Sequence, residues 1–315
     1  MANRDIALES VSVTEKTAIA AARMLGRGDV VEADRVAVEA MWRSLSEMNY
    51  AGRVIVGEGE KGEVEYLYVD ESIGGADTPI FDLAVAPLEG ATIVATGGAN
   101  AISILAIGEE GAFTPLPETY MFKIAVGPGA AGVIDATKPV TDNVRTVAEK
   151  LGKPLEELTV VILDRPRHEK IISELRDVGV RIRLITDGDV AAAVATAIDG
   201  TGLDMLVGTG GAPQGLLTAA ALKCLGGDFQ GILKPRNRND VEKARQLGLT
   251  NIEEVFTIEK LVKGKVMFIA TGVTDGELLK GVRFSRDGAR TTSLVVNSVN
   301  GTMRYVESFY HIERE

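Results

Sequence analysis

Carboxylates beside glycines recur along this chain at points where strands would end. Asp34 stands near the start of an amphipathic stretch, Glu58 and Glu60 lie in VIVGEGE (54–60), Asp82 and Glu89 in DLAVAPLEG (82–90), and Asp187 and Asp189 in TDGDVA (186–191). Arg165 and Arg167 flank a proline in DRPRH (164–168), and a glycine-rich TGGAPQG follows at 209–215. Clustered carboxylates suit hard cations such as Mg²⁺ or Mn²⁺. Arginine forks and the backbone N–H groups of helix starts suit phosphate oxygens. Together these residue types suggest metal-assisted phosphate chemistry. Each piece also has a plainer use. Asp34 can cap a helix, GEGE can be a solvated turn, and DGD a turn with a cap. TGGAPQG departs from the dinucleotide pattern, because counting GxGxxG from Gly208 puts Pro213 where the third glycine belongs. Co-occurrence carries the reading.

The elements that must position these residues are legible from periodicity. In EADRVAVEAMWRSLSEM (32–48), Val38, Met41, Leu45 and Met48 line one face of a helix, with Asp34 at its beginning. A strand over 53–56 breaks into the acidic loop, and IFDLAVA (80–86) and AISILAIG (101–108) read as further strands; all strands before about residue 150 are expected in one sheet. From about 155 the chain repeats strand, loop and helix three times: TVVILD before HEKIISELRDVG, RIRLIT before an alanine-rich helix, and DMLVG before TGGAPQG and another helix. Ile171, Ile172, Leu175 and Val178 give the first of these helices its apolar face. Such repetition predicts a mainly parallel sheet whose loops gather at one edge, where ligands bind. TTSLVVNS (291–298) is the clearest late strand. The expected organisation is an N-terminal α+β subdomain, 1–154, carrying the metal-site motifs, and a C-terminal α/β subdomain, 155–315, carrying substrate loops.

Composition bounds the function. With 315 residues, 45% hydrophobic and 25% charged, the chain can bury a large core. A net charge of -11 argues against a nucleic-acid surface. The single cysteine, Cys224, excludes an internal disulfide and a multi-cysteine zinc site, and its helical setting reads as core. Two histidines, His168 and His311, exclude a histidine-rich metal site within one chain, and a Ser-His-Asp triad would have to recruit one of them. No signal-peptide pattern and no apolar run of about 18–20 residues occurs, so a cytoplasmic protein without membrane partners is expected.

Eight blocks in order, GRGD (26–29), VIVGEGE, DLAVAPLEG, TYMFKIAVGP (119–128), DRPRH, TDGDVA, GGAPQG (210–215) and ATGVTDGELLKGV (270–282), resemble class II fructose-1,6-bisphosphatase of the bacterial type. The resemblance spans nearly the whole chain. It implies the layered α-β-α-β-α sugar-phosphatase fold shared with inositol monophosphatases, in two intimately packed subdomains. It also implies hydrolysis of the 1-phosphate of fructose 1,6-bisphosphate by water activated at Mg²⁺ or Mn²⁺, and a homo-oligomer, dimer or tetramer. Residue by residue, Asp34, Glu58, Glu89 and Gln214 match metal positions, with Glu58 and Glu89 also catalytic. Glu89, Gly90, Tyr120, Arg165, Pro166, Arg167, Asp187, Gly188, Asp189 and Gly211 match substrate contacts.

The chain departs from the family pattern at five functional positions. The family's DPxEGT or DPxDGT is APLEGA here, so Ala86 replaces a metal-binding Asp and Ala91 a threonine that orients water. Gln214 replaces a metal-ligating Glu, Gly62 an acidic residue implicated in activating water, and Val30 the lysine usual after GRGD. Pro87, Gly90 and the glycines around Gln214 remain. This pattern implies a retained fold with an altered site, holding one metal ion or none. Two readings follow: a sugar-bisphosphate phosphatase with impaired or altered turnover, or a non-catalytic paralogue that binds a sugar phosphate or regulates an active homologue.

Overall fold

A computed structural model describes residues 4–75 and 80–312. The chain starts with α1 (Arg4–Ala22) and α2 (Val30–Ser46). Met41, Leu45 and Met48 are buried, with Val38 packed against the same cluster, as the spacing predicts. The helix begins earlier than expected, and its cap is Asp29, whose side chain accepts the Glu32 N–H at 2.9 Å. Asp34 therefore lies inside the helix and does not cap it.

Strands β1 (Ala51–Val56), β2 (Ser72–Ile73) and β3 (Ile80–Glu89) follow, then α3 (Ala91–Thr96) and β4 (Ile102–Glu109). The chain next makes β5 (Tyr120–Val126), α4 (Val140–Leu151), β6 (Thr159–Leu163), α5 (Glu169–Val178), β7 (Arg181–Ile185), α6 (Asp189–Ala195) and β8 (Met205–Gly211). It continues through α7 (Ala212–Leu225), β9 (Asp228–Lys234), α8 (Arg238–Gln246), β10 (Val255–Thr257) and α9 (Ile258–Leu261). Strands β11 (Val266–Gly272), β12 (Arg283–Ser285), β13 (Gly288–Asn297) and β14 (Thr302–His311) complete it. No helix among the described residues is long and apolar enough to cross a membrane.

Two compact units result, Met1–Phe113 with Gly264–Glu315, and Thr114–Lys263. This division differs from the boundary expected at 154/155. Its cause is β11, buried at all seven positions, which pairs with β4 on one side and β13 on the other. A strand apolar on both faces must be central, and this one completes a sheet begun at β1.

The first unit's sheet runs β12-β13-β11-β4-β3-β1-β2, with β14 added on β13; β1 and β3 are parallel and the other pairs antiparallel. The second unit's sheet runs β10-β9-β5-β8-β6-β7. Here β6, β7 and β8 are parallel, as the repeated pattern predicts, but β5, β9 and β10 are antiparallel to their neighbours, so the sheet is mixed. The strand at 120–126 also belongs to this sheet and not to that of the first 113 residues. It is flanked by β8 and β9 and buried along most of its length, so only long-range pairing satisfies it.

Helices α4 and α5 cover the face bearing Ile124, Val126, Val160, Ile162, Met205 and Val207. The alternation of side chains along a strand sends Met121 and Lys123 to the opposite face, where they meet Gly215 of α7. Cys224 is half-buried near the end of that helix.

The exit of β1 is fixed sterically. A Cβ on Gly57 would stand 2.0 Å from the Leu67 carbonyl oxygen and 2.7 Å from Val54 Cγ1, and the same carbonyl accepts the Glu58 N–H at 2.9 Å. Gly57→Ala is expected to cost about 1–3 kcal/mol by overpacking. Thermal melting should show the loss, and hydrogen exchange should show the Glu58 amide losing protection.

Candidate functional site

In the first unit, β3 is the main support. Its pairing with β4 goes from Ala86 opposite Ile104 to Glu89 opposite Ile102, a shift that accommodates Pro87, which cannot donate to the ladder. The strand then stops at Gly90, whose φ of +106° is a conformation that L side chains rarely adopt. A Cβ there would also approach Ile93 Cδ1 and Ala101 Cβ at 3.1 and 3.2 Å. Glu89 is thus buried at the strand end, directly before α3. Glu58 leaves β1, the parallel neighbour of β3, at the same end of the sheet and is half-buried.

Asp34 joins this neighbourhood through α2. Ala33 and Ala37 share a core cluster with Leu88, Ile93 and Val94. The Gly26 and Gly28 N–H groups donate to Val94 and Ala95 of α3 at 2.8 and 2.9 Å, tying GRGD to the same turn. Burial alone pushes the Asp34 carboxyl up. Asp82 does not join them. It lies seven residues before Glu89 on β3, roughly 23 Å along the strand, where it is buried, accepts the Phe113 N–H at 3.4 Å and is pushed up by burial.

Among the described residues, no group of three or more His, Cys, Asp or Glu stands together as a metal cage. Ala86 brings a buried methyl to this strand end and no donor. Gln214, the fourth predicted ligand, is a neutral amide whose Oε1 lies against Gly211. The residues present therefore do not fit the preformed metal centre that the resemblance implies.

The second unit gathers the predicted substrate residues at strand ends. Arg165 donates to the Asp164 and Thr186 carbonyls at 3.1 and 2.5 Å, and Pro166 begins a single helical turn. Arg167 donates through Nε and one terminal nitrogen to the Thr209 carbonyl at 3.0 and 2.7 Å, with its guanidinium 4.9 Å from the centre of the Tyr120 ring. Carbonyl oxygens orient both arginines without cancelling their charge. His168 is structural. Its Nδ1 bonds the Leu163 carbonyl and its Nε2 accepts the Thr209 N–H, each at 2.7 Å, while burial pushes its pKa down. With both nitrogens engaged, it has none to offer a triad.

Gly188, at φ +80°, starts α6 between Asp187 and Asp189. Burial pushes Asp187 up, opposed by its bond from the Gly188 N–H and by the nearby Arg165 charge. Asp189 is buried against Lys123. Gly211 precedes α7, and a Cβ there would overlap Gln214 Oε1 at 1.9 Å, so the glutamine amide folds back over this glycine.

The motif reading missed three participants. Lys123 is buried in β5; its signal is a lysine inside an apolar run. Arg236 and Asp240 form a brace in which Asp240 accepts Arg236 Nε at 2.9 Å, the Arg236 N–H at 2.9 Å and Thr119 Oγ1 at 2.6 Å. Arg236 also donates to the Glu118 carbonyl and stands 5.6 Å from the Tyr120 ring centre. The only sequence trace is an arginine and an aspartate four apart at the start of α8.

Comparison with known proteins settles the kinship. Residues 4–310 match the family described as bacterial fructose-1,6-bisphosphatase, glpX-encoded. The chain belongs to this family. Curated relatives of this fructose-bisphosphatase family member include the D-fructose 1,6-bisphosphatase class 2/sedoheptulose 1,7-bisphosphatase of Synechococcus elongatus, 39% identical over 98% of this chain and 96% of that protein. The protein of the same description from Microcystis aeruginosa is 38% identical over 98% and 97%. Solved structures similar to it include the extragenic suppressor protein suhB of Bartonella henselae (17% identity, 62% and 74% of the two chains, TM-score 0.34). Another is a Thermotoga maritima IMPase (15%, 60% and 71%, TM-score 0.35).

The brace of this fructose-bisphosphatase relative yields a pH prediction. Arg236 holds the Asp240 carboxyl well below the usual carboxylate range, with Thr119 assisting. Because the folded pKa is depressed, the stability it contributes is present above the unfolded value of about 3.9 and is lost as pH falls towards the folded one. Asp240→Asn should cost on the order of 2 kcal/mol at pH 7. It should also show a shallower loss of stability than the parent below about pH 4, measured by denaturant titration.

Proposed function

We propose that this chain is a sugar-bisphosphate phosphatase whose substrate recognition is intact and whose hydrolytic centre is depleted. One contrast supports the reading. Arg165 and Arg167 are held by backbone carbonyls with their charges available to an anion, whereas no three-carboxylate group stands among the described residues. The relatives named for fructose 1,6- and sedoheptulose 1,7-bisphosphates point to a ketose bisphosphate as the ligand.

On this reading Arg165 and Arg167 hold phosphate oxygens through their remaining N–H donors. Tyr120 supports Arg167, and Asp187, Gly188, Asp189 and Gly211 meet the sugar. The resemblance assigns Glu58 and Glu89 the catalytic carboxylate roles, with Asp34 a further metal position. The described residues form no preformed group of three ligands for Mg²⁺ or Mn²⁺; an ion held by Glu58 and Glu89 would take its remaining ligands from water and substrate phosphate, and no step is assigned to it. A homo-oligomer in the cytoplasm follows from the resemblance alone. The second reading, a binding or regulatory paralogue without turnover, draws on the same missing cluster.

Phosphate release from fructose 1,6-bisphosphate and sedoheptulose 1,7-bisphosphate, measured with and without Mg²⁺ or Mn²⁺, separates the two. The phosphatase reading expects slow, metal-dependent release that Glu58→Ala or Glu89→Ala abolishes. Release under no metal condition, with ligand-induced thermal stabilisation retained, establishes the binding reading instead. Losing one preorganised catalytic group costs on the order of 10²–10³ in rate. The combined Ala86→Asp, Ala91→Thr and Gln214→Glu variant should therefore raise turnover at least about 10²-fold; an unchanged rate would refute the roles assigned to these positions.

A further inference from the structure

Lys123 stands where a lysine is expensive. It is 1% exposed, in the middle of β5, on the strand face covered by α7. Removing an ammonium from water costs several kcal/mol, so such a group persists only where partners replace its hydration. Its Nζ donates to Asp189 Oδ2 at 2.5 Å and to the Gly211 carbonyl at 3.2 Å. One buried cation therefore ties together the first residue of α6 and the residue before α7.

The chain makes room for this arrangement. A Cβ on Gly210 would lie 2.2 Å from Asp189 Oδ2 and 2.9 Å from Lys123 Nζ. A Cβ on Gly215 would lie 2.7 Å from Met121 Sδ and 3.5 Å from Lys123 Cδ. The first and last of the motif's three glycines, GGAPQG, are thus required by the ion pair and its stem. TYMFKIAVGP, TDGDVA and GGAPQG, far apart in sequence, are one electrostatic unit.

We propose that Lys123 is a positioning residue for sugar recognition: it fixes the Asp189 carboxylate as an acceptor of hydroxyl hydrogens of the sugar. This rests on the reading that the second unit binds a sugar phosphate. The Lys123 bond occupies Oδ2 from within the protein and locks the carboxylate plane. Two features then stand at the ends of the same sheet: arginines whose charges suit phosphate, and a carboxylate, paired with Lys123, whose acceptor oxygens suit hydroxyls. A carboxylate aimed in this way discriminates a sugar phosphate from a bare phosphate, because only the former brings hydroxyl donors.

The full chain is titrated with fructose 1,6-bisphosphate and, separately, with inorganic phosphate, using calorimetry for the parent, Lys123→Met, Lys123→Arg, Asp189→Asn and the Lys123→Met/Asp189→Asn double variant. Lys123→Met is expected to lower the affinity ratio of sugar bisphosphate to phosphate at least tenfold, and Lys123→Arg to restore part of it. The double variant should lose no more of that ratio than Asp189→Asn alone, since Lys123 acts through Asp189. The double variant also removes both buried charges together, so it remains foldable where Lys123→Met leaves a lone carboxylate. An unchanged ratio in Lys123→Met, equal loss for both ligands, or additive losses in the double variant would overturn the proposal. A parent that binds phosphate but not fructose 1,6-bisphosphate would instead overturn the functional reading, and this inference with it.

Discussion

Two glycines with left-handed backbones, Gly90 and Gly188, set the terms for the chemistry of both units. Each turns the chain sharply into a helix start and leaves an acidic residue at the bend: Glu89 before the first, Asp187 and Asp189 around the second. No ordinary side chain holds that conformation without strain, so the positions of the carboxylates are decided by the backbone. What differs between the units is how the buried charge is met. Asp189 has Lys123. Asp34 has burial as its only perturbation, which favours its neutral form.

The arginines of the second unit divide by the kind of acceptor that holds them. Arg236 is bound to Asp240, and the pair is close to neutral as a unit. Its work is to brace Tyr120 and the start of α8. Arg165 and Arg167 are bound to carbonyl oxygens, which orient a guanidinium without neutralising it. An anion arriving there meets donors already ordered, which lowers the entropic cost of binding. Tyr120 lies between the two classes, with guanidinium groups 4.9 and 5.6 Å from its ring centre.

Local pattern made much of this visible. The apolar face of α2, the Ile172 and Leu175 face of α5 and the alternation of strand, loop and helix between 159 and 225 appear where periodicity puts them. Features set by distant partners were not legible. The unit boundary depends on β11 finding β4 and β13, and nothing in VMFIATG names its neighbours. The sheet order depends on β5 lying between β8 and β9. Asp82 reads like Glu89, an acid on the same apolar strand, and only the strand's length separates them. Asp34 reads as a cap, and only the helix start at Val30 shows that Asp29 takes that place. Lys123 was hidden for a physical reason: an isolated lysine in an apolar run becomes meaningful only when the carboxylate 66 residues later is seen beside it.

The same contrast explains how a chain can keep its scaffold while its acidic strand end changes. At Ala86, where the resemblance puts an aspartate, β3 packs a methyl group at 7% exposure and keeps its pairing with Ile104. A carboxylate there would add buried negative charge near Glu89, at the strand end that Glu58 also leaves, and only a cation could offset it. The alanine adds no such charge. The second unit has no such latitude. Replacing Lys123 or Asp189 singly strands the other's buried charge, and the tight spaces at Gly210 and Gly215 tie the surrounding backbone to the same pair. Change is therefore tolerated where a charge depended on something outside the chain, and resisted where the chain supplies both charges itself.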